Sequence, residues 1–92
     1  MITNLMVTAY CACGLCCGKT DAITASGVRV QAGRTVAANQ FPFGTRLRIE
    51  GMGWRRVEDR LSRRYTGRVD VYMRNHRAAL RFGKRRLAVE IP

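Results

Sequence analysis

Gly67-Arg68-Val69-Asp70-Val71-Tyr72-Met73 alternates in character at every step. If Val69 and Val71 point into an apolar interior, then Arg68, Asp70 and Tyr72 point the other way, because successive side chains of a strand face opposite sides. A carboxylate flanked by two β-branched residues is not a helix pattern; it reads as a half-buried strand. The same two-residue period recurs upstream, where Leu47 and Ile49 alternate with Arg46 and Arg48 across residues 45–49. The turn Gly51-Met52-Gly53 follows, and then a stretch from Trp54 to Glu58 that can pair back.

Further out, Leu5 to Tyr10 reads as a first strand and Thr35 to Ala38 as a short buried one, with Val28 to Val30 a further short candidate. Lys84 to Ile91 reads as a closing strand, with Leu87, Val89 and Ile91 inward. Asn75 is placed to cap a short helix running to Phe82, and Gly83 to end it. Short strands at close spacing with one short helix predict an all-β fold of small α content, a small barrel.

The chain of 92 residues is 47% hydrophobic and 25% charged, the balance of a globular protein and too short for two domains. One domain over residues 1–92 is therefore expected. No apolar run reaches the roughly 18 residues of a membrane-spanning helix, so a soluble chain is expected. Seventeen basic residues against six acidic ones leave a net charge of +11, and all the cations but Lys19 and Lys84 are arginine. That excess suits an acidic polymer, nucleic acid or an anionic surface as partner, against the plainer reading of a solvated basic surface.

Cys11, Cys13, Cys16 and Cys17 fall within seven residues. Three readings stand: a structural zinc held by four thiolates, local disulfides if the protein leaves the cytosol, or free thiols lining a loop. Zinc sites are more often built from two separated pairs of ligands, unlike this cluster. The first ten residues lack a basic segment followed by a long apolar stretch, so no signal peptide is visible. Of the six acids, Asp59 follows a strand and faces a loop, and Asp70 sits mid-strand. Such an Asp is either an ion-pair partner, with Arg68 close by in sequence, or a desolvated acid. His76, in the first helical turn, reads as a surface or packing residue.

The order of segments carries a resemblance. Val7-Thr8-Ala9-Tyr10, Thr24-Ala25-Ser26-Gly27, Thr35-Val36-Ala37-Ala38-Asn39, Phe43-Gly44-Thr45, Gly51-Met52-Gly53, Val57-Glu58-Asp59 and Gly67 to Met73 follow one another as in the three-aspartate domain of cell-wall-cleaving proteins. The chain resembles that family from about Val7 to Ile91, and the family is similar to the catalytic barrel of membrane-bound lytic transglycosylase A.

The resemblance implies a six-stranded double-psi β-barrel. It also implies cleavage of the β-1,4 bond between N-acetylmuramic acid and N-acetylglucosamine in peptidoglycan, leaving a 1,6-anhydro product. Carried over by position, it implies Asp70 as acid and base, Asp59 as its support, and Asn39 on the substrate side where the family has its first aspartate. Read from the residues themselves, Thr8 is placed on the substrate side to orient the acid by a hydrogen bond, and Tyr72, Tyr10 and Trp54 either stack on sugar faces or pack the core. The resemblance requires no cofactor and implies a monomer acting in the cell envelope or outside the cell, reached by a route other than a visible signal peptide or as a trimmed chain.

Two positions depart from the family. Asn39 stands where its first aspartate falls, and Arg60-Leu61-Ser62-Arg63-Arg64-Tyr65 replaces a Thr-Gly-Gly stretch. The alternatives are a non-catalytic glycan-binding barrel and, on charge alone, a nucleic-acid-binding module. No aromatic-interleaved nucleic-acid motif accompanies that charge.

Overall fold

The computed structural model describes residues 1–11 and 22–92. Six strands form a closed barrel: β1 (Ile2–Tyr10), β2 (Thr35–Ala37), β3 (Arg46–Ile49), β4 (Gly53–Asp59), β5 (Arg68–Tyr72) and β6 (Arg85–Glu90), with helix α1 (His76–Phe82) between the last two. Around the barrel the order is β1-β5-β2-β4-β3-β6, and β6 closes back on β1. Two pairs are parallel, β1 with β5 and β2 with β4; the rest are antiparallel.

Exchanging β1, β2 and β3 with β4, β5 and β6 leaves both the order and every pairing direction unchanged. That internal two-fold, with each parallel pair joining a strand of one half to a strand of the other, is the double-psi arrangement. Closure leaves no free sheet edge.

The interior explains why so small a chain suffices. Val7, Val36, Val57, Val69, Val71 and Val89 are fully buried or nearly so, together with Leu47 and Ile49. β-Branched side chains lose little rotamer freedom in a strand and fill a narrow barrel without large voids. Rows of register partners stack these residues: Val57, Val36, Val71 and Ala9 lie side by side on β4, β2, β5 and β1. α1 covers the barrel with Ala79 and Phe82, the latter joining the core. The Asn75 side chain accepts a hydrogen bond from the Ala78 N–H at 2.8 Å, and Gly83 ends the helix at a φ of 66°, open to glycine at little cost.

Several boundaries differ from the sequence expectation. β1 begins at Ile2 because residues 2–7 pair antiparallel with β6 even where polar Thr3 and Asn4 interrupt the apolar pattern. Val28 to Val30 is not a strand. A single bridge between Ile23 and Arg29 closes a tight loop there, its Thr24 hydroxyl bonded to the Val28 carbonyl. The β2–β4 register slips between Val36 and Ala37, so that Val36 faces Val57 but Ala37 faces Asp59. Glu58 is the extra residue of a bulge. It is buried, and its Oε1 accepts from the Thr35 hydroxyl at 2.7 Å and from Arg34 Nε at 3.1 Å.

Leu47 is wholly enclosed, whereas Leu80 on α1 is 68% exposed. Leu47→Ala is expected to lower unfolding free energy by about 2–5 kcal/mol. Leu80→Ala should shift it by no more than about 0.5 kcal/mol. Urea titration of the two variants checks both, and similar losses would contradict this assignment of the core.

Candidate functional site

Alternation along β1 and β5 sets the outer face. Val7, Val69 and Val71 are buried in the barrel, so Thr8, Tyr10, Asp70 and Tyr72 project from the opposite side. The register places Thr8 beside Asp70 and Tyr10 beside Tyr72. On the other flank of β5, Asp70 faces Ala37, and Ala37 in turn faces Asp59. A single row therefore runs Asp59, Ala37, Asp70, Thr8 across four strands. The two acids stand two strands apart, about 10 Å between backbones, with buried Ala37 between them in the row.

The two carboxyls are held differently. Asp70 Oδ1 accepts one side-chain bond, from the Thr8 hydroxyl at 2.9 Å. Burial pushes its pKa up to about 6; the Thr8 bond and the Arg68 charge pull it down, and the negative charge of Asp59 pushes it up again. Arg68 makes no ion pair with Asp70: its guanidinium lies 4.5 Å from the centre of the Tyr65 ring. Asp59 is anchored by the N–H groups of Ala25 and Arg60 on Oδ1, both at 2.9 Å, and by the Tyr10 hydroxyl on Oδ2 at 3.2 Å. One acid thus has a fixed orientation, and the other is desolvated and can hold a proton near neutral pH.

Of the remaining sequence candidates, Tyr72 is half-buried and packs edge-on against Tyr10, the ring centres 5.6 Å apart. Asn39 lies two residues past Ala37, and both ends of its amide are engaged. Oδ1 accepts from the Leu61 N–H at 2.8 Å and Nδ2 donates to the Ser62 carbonyl at 3.1 Å, tying down the 60–65 segment. Cys11 is buried, its sulfur 3.8 Å from His76 Nδ1. Cys13, Cys16 and Cys17 lie outside the described residues, among which no group of metal ligands assembles.

The sequence reading passed over Tyr10 as a partner of Asp59 and Glu58 as the bulge residue. The first has a signal: Tyr10 is two residues from Thr8 and so shares its face. The second has none, because a bulge is a property of strand pairing. A cavity of about 440 Å³ lies elsewhere, lined by Ile2, Ile49, Met52 and Ala88 among others, and includes none of these residues.

No family model matches the chain, and no curated protein sequence matches it.

Two outcomes follow from this geometry. In the folded chain Asp70 holds its proton to about pH 6, well above its ordinary 3.8, so the folded state binds more protons than the unfolded one between those values. Stability falls as pH rises from about 4 to about 6. Asp70→Asn should remove that slope and leave the chain more stable than wild type at pH 7, by at most about 3 kcal/mol. Thermal unfolding of both proteins across pH 4–8 measures it. Asn39→Asp replaces the donor to Ser62 with an acceptor, so it should cost about 1 kcal/mol at pH 7 and less near pH 4, where a protonated acid can donate. Paired melting curves at the two pH values decide this.

Proposed function

We propose that the chain is a three-aspartate-type barrel that cleaves peptidoglycan glycan strands as a lytic transglycosylase. The observation that carries the reading is the row Asp59, Ala37, Asp70, Thr8: a desolvated carboxyl with its pKa raised to about 6, in line with an anchored carboxylate. In this reading Asp70 donates its proton to the glycosidic oxygen as the bond to C1 breaks. Asp59, fixed by three donors, holds negative charge near the developing oxocarbenium ion. The ionised Asp70 then takes the proton of the sugar's own C6 hydroxyl as that oxygen attacks C1, which closes the anhydro ring and restores the acid. Atoms balance without water as nucleophile, and one carboxyl serves both steps. Thr8 orients the acid, and the edge of Tyr72 borders the place where a sugar ring would lie.

A hydrolase with two separated carboxylates needs both in direct roles and a water between them. The triple anchoring of Asp59 favours a supporting role instead. A glycan-binding barrel without chemistry is the second reading, and the engagement of Asn39 in holding a loop favours it, since that side chain stands where the family's first acid falls. No cofactor enters the proposed reaction, and action at the cell envelope belongs to the same reading.

Incubation with purified sacculi should release anhydro-muropeptides detectable by mass spectrometry. Asp70→Asn should stay folded and lower release by roughly 10² or more, the usual worth of a general acid. With the proton needed for the first step, kcat/KM should fall about tenfold per pH unit above about pH 6. Undiminished release by Asp70→Asn overturns the acid assignment. Sacculi that bind the wild type yet release nothing favour the binding barrel.

A further inference from the structure

β3 and β4 form a hairpin whose outer face is unusually basic. Arg46 on β3 stands directly opposite Arg56 on β4, and Arg48 opposite Trp54. Like charges placed opposite one another across a strand pair destabilise it. Arg48 has its counter-charge, Glu90 at 2.6 Å. Arg46 and Arg56 have none: among the described residues neither makes an ion pair with a carboxylate. The Arg46 guanidinium instead sits 5.7 Å from the centre of the Trp54 ring, which is 46% exposed. Arg56 lies against Gly44, with Nη2 3.8 Å from where a Cβ would project. The hairpin thus holds two exposed, uncompensated guanidinium groups and a flat apolar ring on one surface.

That surface shares strand β4 with the acid row, and between the two Thr35 and Glu58 are buried. Outward positions along β4 run from Trp54 to Arg56 and, past the bulge at Glu58, to Asp59, so Arg56 and Asp59 are about 10 Å apart along the strand. On β2 the register partner of Arg56 is Thr35, which is fully buried and bonded to Glu58. Along β4 from Asp59 the exposed positions are Arg56, with Arg46 beside it on β3, and then Trp54.

We propose that Arg46, Arg56 and Trp54 form a specificity subsite that seats the carboxylate-bearing portion of the glycan strand, the arginines gripping its carboxylates and Trp54 stacking on a sugar face. This rests on the glycan-cleaving reading of the Asp59–Asp70 row and adds to it the chemical feature that selects the substrate: an anionic glycan, not a neutral one. Forked guanidinium groups suit planar carboxylates, and an exposed indole suits the apolar face of a sugar ring. The bound carboxylates also relieve the repulsion that the hairpin carries when free.

The test is co-sedimentation with purified sacculi in the Asp70→Asn background, so that nothing is consumed. It compares the parent, Arg46→Gln/Arg56→Gln, and Arg77→Gln/Arg81→Gln, which removes equal charge from exposed positions of α1. Three ligands are used: native sacculi, sacculi with their carboxylates amidated, and an oligonucleotide. The hairpin variant should bind native sacculi about tenfold more weakly per arginine removed, the usual scale of a charge-assisted bond, while its melting temperature holds or rises. The helix variant should bind like the parent. Amidated sacculi should bind the parent as weakly as native sacculi bind the hairpin variant.

Equal binding of native and amidated sacculi by the parent overturns the subsite, as does an equal loss in the helix variant or a preference for the oligonucleotide. Release of anhydro products by otherwise wild-type protein with an unchanged KM for Arg46→Gln/Arg56→Gln overturns the subsite alone. A wild type that neither binds nor cleaves sacculi overturns the glycan reading and the subsite with it.

Discussion

The arrangement of the site depends on one irregularity, the bulge at Glu58. Without it, β4 would continue in step with β2 and Glu58 would face Ala37. The extra residue moves Asp59 into that place and turns Glu58 to Thr35 and Arg34, where its carboxylate is bonded twice. A buried carboxylate without those partners would be costly, since desolvation of a charge is offset only by hydrogen bonds and counter-charge. The bulge and the Glu58 network are therefore one feature. The network makes the bulge tolerable, and the bulge puts the second acid in line with the first.

Asp70 shows the opposite treatment of a carboxyl. Its row neighbours are a methyl group and a hydroxyl, and its nearest cation in sequence is turned to Tyr65. An ion pair would have held it ionised and stabilised the fold at neutral pH. Burial instead favours its protonated form, so its pKa rises to about 6 and its ionisation at neutral pH lowers stability. Strain of this kind concentrates where chemistry is done, and in a barrel held by valines the remaining core is left to offset it.

Alternation alone made much of the fold legible. Val69, Asp70 and Val71 gave the two faces of β5, and Arg46 to Ile49 those of β3, because a side-chain period of two is visible without a partner strand. The capping of α1 was equally plain from Asn75 and Gly83. What sequence did not show was pairing. Ile2 to Asn4 look like a frayed end until β6 is laid beside them, and Val28 to Val30 look like a strand until Gly27, at a φ of 94°, closes the loop first. The site divides in the same way. The shared face of Thr8, Asp70 and Tyr72 followed from alternation, whereas the placement of Asp59 required the bulge, and the engagement of Asn39 required a loop that only the fold brings near. Three of the four clustered cysteines fall outside the described residues.

The internal two-fold gives the acid row a further meaning. Exchanging the halves maps β1 onto β4 and β5 onto β2, so the pair Thr8–Asp70 corresponds to Asp59–Ala37. The axis passes between β5 and β2, at the contact of Asp70 with Ala37. Equivalent places in the two halves thus carry different chemistry: a hydroxyl answers to a carboxylate on the flanking strands, and a carboxylate to a methyl on the central ones. Had both central positions been acidic, two carboxyls would have faced each other across one register step, and their mutual repulsion would have driven one pKa far up. Ala37 removes that conflict, while Asp59, one strand further out, stays close enough for its charge to be felt. A symmetric backbone thereby supports an asymmetric pair of acids, one oriented by three donors and one left to exchange its proton.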